Sequence, residues 1–235
     1  MRMKQQYHAP GLIQLHFIFI TGRIENMIWH ITCNIVYTPH EFAINDRNEI
    51  LKFIREYSFG ILITYSDGFR ASHIPFIITN EDPLVLWGHL ATGNEQLRGM
   101  GDSRALVIFS GPHSYISPSW YAVPGQVPTW DYVTVHVEGK VKLTGRQETT
   151  RMLEKMVSFY ESDSSLSGKL GEGTYQDMMS GIVGFYVAVD KVWAKAKLSQ
   201  NHSEEDRKGV IRHLSRSSNQ DEVKISELIR KTIHS

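Results

Sequence analysis

The sequence lacks several features that define whole classes of protein. Its only cysteine among 235 residues is Cys33, so no internal disulfide can form and no paired-cysteine zinc site is present. Its 25 Lys and Arg residues balance its 25 Asp and Glu residues, which leaves no overall positive field for holding nucleic acid. We therefore expect a globular protein of a reducing compartment, the cytoplasm, without a structural metal.

Long apolar runs and nucleotide-binding signatures are also missing. The most apolar early stretch, 12–20, is about half the length of a membrane helix and is interrupted by Gln14 and His16. No small-residue cleavage site follows it, so we expect neither a membrane span nor secretion. The absence of Gly-x-Gly-x-x-Gly, Walker-type and Gly-x-Ser-x-Gly motifs argues against Rossmann, P-loop and serine-hydrolase functions.

Regular patterning begins at Val36. Residues 1–35 mix aromatic residues, Ile and His with neither a helical nor a strand period, so we assign this N-terminal extension no part in the fold. Because valine can be encoded by a GTG start codon, Val36 is a candidate for the natural first residue. Asp46 and Glu49 then have capping-box spacing and predict a helix over 46–57.

The rest of the pattern is mostly β-strand with inserted helices. Segments 61–65 and 70–79, joined by a Ser-Asp-Gly turn, predict a β-hairpin. Further strands are expected at 84–90, 105–109, 133–138 and 184–192, a short helical segment at 94–100, and helices at 147–161, 203–214 and 221–233. Ser203 and Asp206 have capping-box spacing and mark the start of the helix at 203–214. Short antiparallel-type strands separated by turns predict a mainly β fold with inserted α-helices, a β-barrel of the α+β type.

The densest group of chemically useful residues lies in a predicted loop over 111–121 and in 127–132. Ser117 and Ser119 flank a proline and precede Trp120, a combination that suits a planar heteroaromatic ligand. An aromatic mini-core under a long loop is the alternative, and the residues alone do not decide between them.

Two histidines and a polar run are the other candidates. His73 and His89 lie on predicted strands, where a structural role is the alternative. After His89, Ala91 to Asn94 leads into a short helical segment whose free N–H groups suit a phosphate; an ordinary helix cap is the alternative. Residues 197–201, Lys-Leu-Ser-Gln-Asn, combine a cation with a hydroxyl and two amides, and their alternative is a solvated connection.

These runs together resemble the PaiB family of FMN-binding negative transcriptional regulators. The runs are Ser72-His73-Ile74-Pro75-Phe76, Gly88-His89-Leu90-Ala91, Tyr115-Ile116-Ser117-Pro118-Ser119-Trp120-Tyr121, Pro128-Thr129-Trp130-Asp131-Tyr132 and Lys197-Leu198-Ser199-Gln200-Asn201. The resemblance covers about 36–214 and implies a split barrel related to pyridoxamine-phosphate oxidase, with FMN at the interface of a homodimer. Residues 36–216 would form that domain and 217–235 a C-terminal tail helix.

The resemblance also implies a set of cofactor-binding residues and a role. The set is His73, His89, Ala91, Asn94, Gln96, Ser117, Ser119, Trp120, Lys197, Ser199, Gln200 and Asn201. The implied role is repression of sporulation and degradative-enzyme genes; a flavin-dependent oxidoreductase or flavin reductase and a non-flavin structural dimer are the alternatives. No helix-turn-helix signature supports direct DNA binding, so a partner protein or redox chemistry are alternative routes to regulation.

Overall fold

The computed structural model describes residues 36–161 and 179–233. The elements, in chain order, are α1 (Arg47–Glu56), β1 (Phe59–Tyr65), β2 (Phe69–Pro75), β3 (Ile77–Asn80), β4 (Val85–Ala91), β5 (Arg104–Ile116), β6 (Thr129–Leu143), α2 (Arg146–Tyr160), β7 (Ile182–Lys197), α3 (Glu204–Leu214) and α4 (Gln220–Ile233). Single 3-10 turns lie at His40–Phe42, Glu95–Leu97 and Pro118–Trp120. No helix within these ranges is both long and apolar enough to cross a membrane. The predicted extension 1–35 lies outside the described residues.

Two helices begin at the capping residues that the sequence predicts. Asp46 accepts a hydrogen bond from the backbone N–H of Glu49 at 2.9 Å, and α1 follows. Ser203 Oγ accepts the backbone N–H of Asp206 at 3.2 Å at the start of α3. A capping box is a local pattern, so both predictions are confirmed without any knowledge of the tertiary fold.

The seven strands within the described residues form one antiparallel sheet in the order β2-β1-β5-β6-β7-β4-β3. The two edge strands, β2 and β3, are consecutive in the chain and are separated by Phe76 alone. The backbone N–H of Phe76 donates to the carbonyl of Ser58 at 2.9 Å. The sheet therefore curls until its edges meet, which confirms the predicted barrel with inserted helices.

The prediction of one strand over 70–79 is wrong. β2 ends at Pro75, and β3 pairs with β4 instead of with β1. Because Pro75 has no backbone N–H, it ends the ladder with β1, and the chain crosses from one edge of the sheet to the other. The two histidine-bearing strands, β2 and β4, approach each other there, since a Cβ on Gly88 would lie 3.2 Å from Ile74 Cδ1.

The prediction of a loop over 111–121 is wrong in its first half. β5 continues to Ile116 and pairs with β6 from Thr129 onward. The register shifts between Ser110 and His113, so the Gly-Pro pair at 111–112 forms an irregularity within a strand. A pair that is usually read as a turn signal is thus tolerated inside a long hairpin.

The inner face of the barrel is apolar, as the alternation over 133–138 predicts. Val133, Val135 and Val137 are buried, whereas Thr134 and His136 between them face outward and are partly exposed. One face of β6 therefore fills the core while the other forms part of an outer surface.

Helix α4 also contributes to this core. Ile225 and Ile229 on α4 are fully buried in the same hydrophobic cluster as the barrel residues. The helix thus packs on the barrel through the apolar stripe that the sequence shows at these positions.

Candidate functional site

The first group of predicted ligands, the β4 cluster, lies around the end of β4. Asn94 Oδ1 accepts the backbone N–H of Gln96 at 2.9 Å, and Asn94 Nδ2 donates to Ser72 Oγ at 3.0 Å. Gln96 is 2% exposed and donates through Nε2 to the carbonyl of Leu62 and to Thr64 Oγ1, both at 3.1 Å. The cluster consists of His73, His89, Ala91, Asn94 and Gln96.

Two polar side-chain atoms of this cluster are buried without a hydrogen-bond partner among the described residues. They are His89 Nδ1 and Gln96 Oε1. The His89 ring lies 5.7 Å from the Trp87 ring, and burial lowers its pKa below the usual range, so the imidazole is neutral at pH 7. His73 is exposed, with its ring 6.4 Å from that of Phe59. Unpaired buried polar atoms are costly, and a polar ligand would satisfy them.

The second group, the β7 cluster, lies at the far end of β7 and in the connection after β5. Ser117 caps the 3-10 turn, and its Oγ lies 2.8 Å from Ser119 Oγ. The connection and the polar run come together, because Tyr121 stacks on His202 at a ring distance of 4.4 Å. The cluster consists of Ser117, Ser119, Trp120, Lys197, Ser199, Gln200 and Asn201.

Most of the polar run hydrogen-bonds to the protein itself. Lys197 Nζ donates to Thr129 Oγ1 at 2.6 Å and to the carbonyl of Trp130 at 2.8 Å, and lies 3.5 Å from Asp131 Oδ1. Ser199 donates to Asp131 Oδ2 at 2.7 Å. Both residues thus bind the start of β6.

Gln200 is likewise turned inward, whereas Asn201 is exposed. Gln200 Oε1 accepts the backbone N–H of Leu198 at 2.5 Å, and its Nε2 donates to the carbonyl of Ala196 at 2.6 Å. Within the run, Asn201 is the most exposed residue, whereas Gln200 and Lys197 are only partly exposed and one-fifth of the Lys197 side chain remains accessible.

The two clusters lie at opposite ends of β7. His89 is opposite Gly184 in the ladder, and Lys197 is opposite Tyr132. At about 3.3 Å per residue, Gly184 and Lys197 are separated by roughly 43 Å along the strand. The structure therefore groups the predicted ligands into two sets and does not bring the sets together along one strand.

The outer face of the sheet carries a row in which two isoleucines lie between two histidines and a tryptophan follows the second histidine. Successive ladder partners across β2, β1, β5, β6 and β7 are His73, Ile61, Ile108, His136 and Trp193, so all five lie on one face. Burial lowers the pKa of His136, which keeps its ring neutral at pH 7. We call this set the outer-face row.

Two buried carboxylates belong to the site region although neither is in the set of predicted cofactor-binding residues. Asp131 is fully buried beside Lys197, and Asp206 is 3% exposed and accepts hydrogen bonds from the backbone N–H groups of Ala122 and Val123. Asp206 has a sequence signal as a capping-box residue, and Asp131 lies within a resemblance motif. Neither signal reveals the long-range partner. In the described part of the chain, no group of three or more His, Cys, Asp or Glu residues is placed to hold a metal ion.

Comparison with known proteins identifies the family. The family model described as "Putative FMN-binding domain" matches residues 36–191. The Protease synthase and sporulation protein PAI 2 of Bacillus subtilis is 36% identical over 200 residues, which cover 83% of this chain and 96% of that protein. The chain belongs to the PaiB family of FMN-binding proteins. The family resemblance is thus confirmed, and FMN is the cofactor.

Solved structures share the fold of this PaiB-family chain. The FAD and heme binding protein of Mycobacterium smegmatis has a TM-score of 0.51 at 14% identity, over 66% of this chain and 72% of that one. The flavocytochrome Anf3 of Azotobacter vinelandii has a TM-score of 0.52 at 11% identity, over 68% of this chain and 72% of that one. The fold is the split β-barrel of flavin-binding proteins, as predicted.

The donor set of the chain fits FMN. The β4 cluster offers the unpaired carbonyl oxygen of Gln96 and a ring nitrogen of His89, and the β7 cluster a partly exposed ammonium and an exposed amide. Together these groups provide both acceptors and donors. A heteroatom-rich ring with a ribityl phosphate requires both kinds of group.

Proposed function

We propose that the protein is a homodimeric FMN-binding regulator that represses sporulation and degradative-enzyme genes, with each cofactor bound between two copies. The regulatory part is supported by the relative named for protease synthesis and sporulation, which is 36% identical to this chain. The dimer is supported by the separation of the two clusters along β7, and this observation carries the proposal.

A two-fold dimer resolves that separation. If the β4 cluster of one copy faces the β7 cluster of the other, each site uses both groups and the symmetry creates two identical sites. The outer-face row is the surface suited to the contact, because Ile61, Ile108 and Trp193 are apolar and only partly buried within one copy. Neutral His136 enters such a contact without an unpaired charge.

Each cluster has a distinct part in binding. His89 and Asn94 lie near the exposed end of β4 and are suited to polar edges of the cofactor. Lys197 and Asn201 supply a cation and an amide for the phosphate or a ring edge. Bound FMN supplies a redox-active ring, while these side chains orient it.

Subunit complementation tests the composite site. The variants His89→Ala and Asn201→Ala are each expected to bind FMN weakly as homodimers. After the two are mixed and allowed to exchange subunits, heterodimers contain one unaltered site and one doubly altered site, so about a quarter of all sites recover tight binding. Equilibrium titration with FMN before and after mixing measures this recovery, and wild type mixed with wild type is the control.

The outcomes are distinct. If subunit exchange is verified but FMN binding does not recover, the composite site is rejected, because each site then takes both clusters from one chain. Normal FMN binding by both variants removes both clusters from the site. A wild-type protein that sediments as a monomer while holding stoichiometric FMN rejects the dimer.

Regulation is tested separately from binding. Deleting the gene in its host is expected to raise sporulation and protease transcripts, and wild type but not His89→Ala should restore repression. Unchanged transcripts reject the regulatory role. Anaerobic addition of NADH to the flavin-loaded protein tests the oxidoreductase alternative, because a flavin reductase bleaches the flavin absorption at a catalytic rate.

A further inference from the structure

Asp131 is a fully buried carboxylate at the start of β6. Ser199 donates to its Oδ2 at 2.7 Å, and Lys197 Nζ lies 3.5 Å from its Oδ1. Burial raises the pKa of Asp131 above its usual range, although the Ser199 hydroxyl and the Lys197 ammonium both oppose that rise. Burying a carboxylate away from water costs free energy unless the carboxylate is paired and hydrogen-bonded. The hydrogen-bond partners of Asp131 therefore indicate which part of the structure it stabilises.

The element that Asp131 holds is the turn over 197–201. Ser199 has a backbone φ of 58°, in the left-handed region that side chains other than Asn and Asp seldom adopt. The hydrogen bond from its hydroxyl to Asp131 fixes that conformation. Lys197 is joined to the same stretch of β6 through Thr129 and Trp130. The first residue of the turn and its middle residue are thus attached to the strand that carries Asp131.

The inward bonds of the turn leave few groups for a ligand. Gln200 closes the turn internally, and the exposed amide of Asn201 follows directly after it. The direction of Asn201 therefore depends on the conformation of Ser199. The position of the Lys197 ammonium likewise depends on Asp131, which lies 3.5 Å from it.

We propose that Asp131 is a positioning residue for FMN, which fixes the turn over 197–201 so that Lys197 and Asn201 are presented to the cofactor. The proposal rests on the proposed function, in which this turn forms one side of the flavin site. It requires ionised Asp131, because a neutral amide can accept the Ser199 hydrogen bond but offers no charge to the Lys197 ammonium.

Asp131→Asn tests the proposal, with Asp190→Asn as the matched control. Asp190 is a partly exposed carboxylate on β7, paired with Arg104 and remote from the turn. Titrating FMN into the apo proteins should show affinity weakened at least about tenfold in Asp131→Asn and nearly unchanged in Asp190→Asn. The visible circular dichroism of the bound flavin should change only in Asp131→Asn, since the ring is then held in a different environment.

A pH series separates positioning by charge from general destabilisation. As the pH is lowered, wild-type Asp131 takes up a proton, so the ratio of the Asp131→Asn and wild-type dissociation constants should fall toward one. Titration of the FMN phosphate affects both proteins and cancels in the ratio. A ratio that stays constant over the range in which both proteins remain folded contradicts the proposal.

Two further variants, Ser199→Gly and Asn201→Ala, test the proposal if Asp131→Asn does not fold or binds FMN normally. If Asp131→Asn fails to fold, Ser199→Gly removes the hydroxyl while easing the positive φ, and wild-type FMN affinity in Ser199→Gly rejects the positioning role. Wild-type affinity in Asp131→Asn rejects it directly. If Asn201→Ala also binds FMN normally, the turn lies outside the site and the proposed function fails; if Asn201→Ala alone weakens binding, only the role of Asp131 fails.

Discussion

Replacing Asp206 should detach the connection between β5 and β6 from helix α3. Asp206 Oδ1 accepts the backbone N–H of Ala122 at 2.7 Å and that of Val123 at 3.0 Å. Its Oδ2 accepts the Ser203 hydroxyl at 2.9 Å. One buried carboxylate therefore supports the helix start and anchors the segment that carries Ser119 and Trp120.

The magnitude follows from these three bonds. A hydrogen bond to a charged group that is shielded from water contributes about 1.5–3 kcal/mol to the free energy of unfolding. Val123 is half-exposed, so its freed N–H regains water and its bond adds little, while the other two bonds count at the lower end, about 1.5 kcal/mol each. We expect Asp206→Ala to lower the free energy of unfolding by about 3 kcal/mol, and Asp206→Asn, which keeps a neutral acceptor, by about half as much.

The effect should depend on pH in a defined direction. Burial alone would raise the pKa of Asp206, but the Val123 and Ala122 N–H groups and the Ser203 hydroxyl outweigh it and lower the pKa. A carboxyl with a depressed folded pKa contributes stability that is complete above its unfolded pKa, about 3.9, and is lost as the pH falls through the folded value. The difference between wild type and Asp206→Asn should be constant near neutrality and shrink below about pH 4.

Urea denaturation measures the global loss, and amide hydrogen exchange measures the local one. The amides of Ala122 and Val123 should exchange much faster in Asp206→Ala. Glu205→Ala, an exposed carboxylate in the same helical turn, should change stability by no more than about 0.5 kcal/mol. A loss in Asp206→Ala no larger than in this control, with exchange of the two amides unchanged, would refute the anchoring role.

Three further predictions concern other parts of the chain. Gly209→Ala should destabilise the protein by about 1–3 kcal/mol in urea titration, because the added Cβ would lie 2.1 Å from the carbonyl of Trp120; Lys208→Ala is the control. Lys197→Ala should cost about 2–4 kcal/mol at pH 7 by leaving buried Asp131 without its cation. Removing the cation raises the pKa of Asp131 further, so this cost should decrease as the pH is lowered and the carboxyl is protonated. A cost that is independent of pH would contradict the pairing. Deleting residues 1–35 should leave the melting temperature and flavin content almost unchanged, since the regular hydrophobic pattern begins at Val36, and a large loss of either contradicts this.

The sequence predicts local structure better than strand pairing. The caps at Asp46 and Ser203 depend on residues three positions apart, and both predictions are confirmed. The division at Pro75 and the extension of β5 through the Gly-Pro pair depend on which distant strand supplies the next ladder, so a local pattern cannot reveal them.

The same limit applies to the site. The polar residues Lys197 and Ser199 are visible as candidate ligands, yet their partner Asp131 lies more than sixty residues earlier in the chain. Polar side chains in a motif can bind a ligand or hold the motif together, and only the tertiary contacts distinguish the two. Here Lys197, Ser199 and Gln200 all hydrogen-bond within the protein. Replacing any of them is therefore expected to affect stability as well as FMN binding.

The lengths of the strands explain why one chain holds the two clusters so far apart. β5, β6 and β7 have 13, 15 and 16 residues, although β1 pairs with β5 only over 105–108 and β4 with β7 only over 182–188. The remainder of this three-stranded ladder extends beyond the part that closes the barrel.

The two edges of this extension are covered by neighbouring segments, whereas its outer face is exposed. His113 on β5 lies 3.7 Å from Asp221 on α4, and Ala43 forms a bridge to β7, so both edges of the extension have neighbours that block strand addition. Its outer face keeps the exposed rings of Tyr115 and Trp130, which are 6.1 Å apart. A protected edge beside an exposed aromatic face is suited to contact with a second copy through side chains rather than by sheet extension, in keeping with a site completed across a dimer.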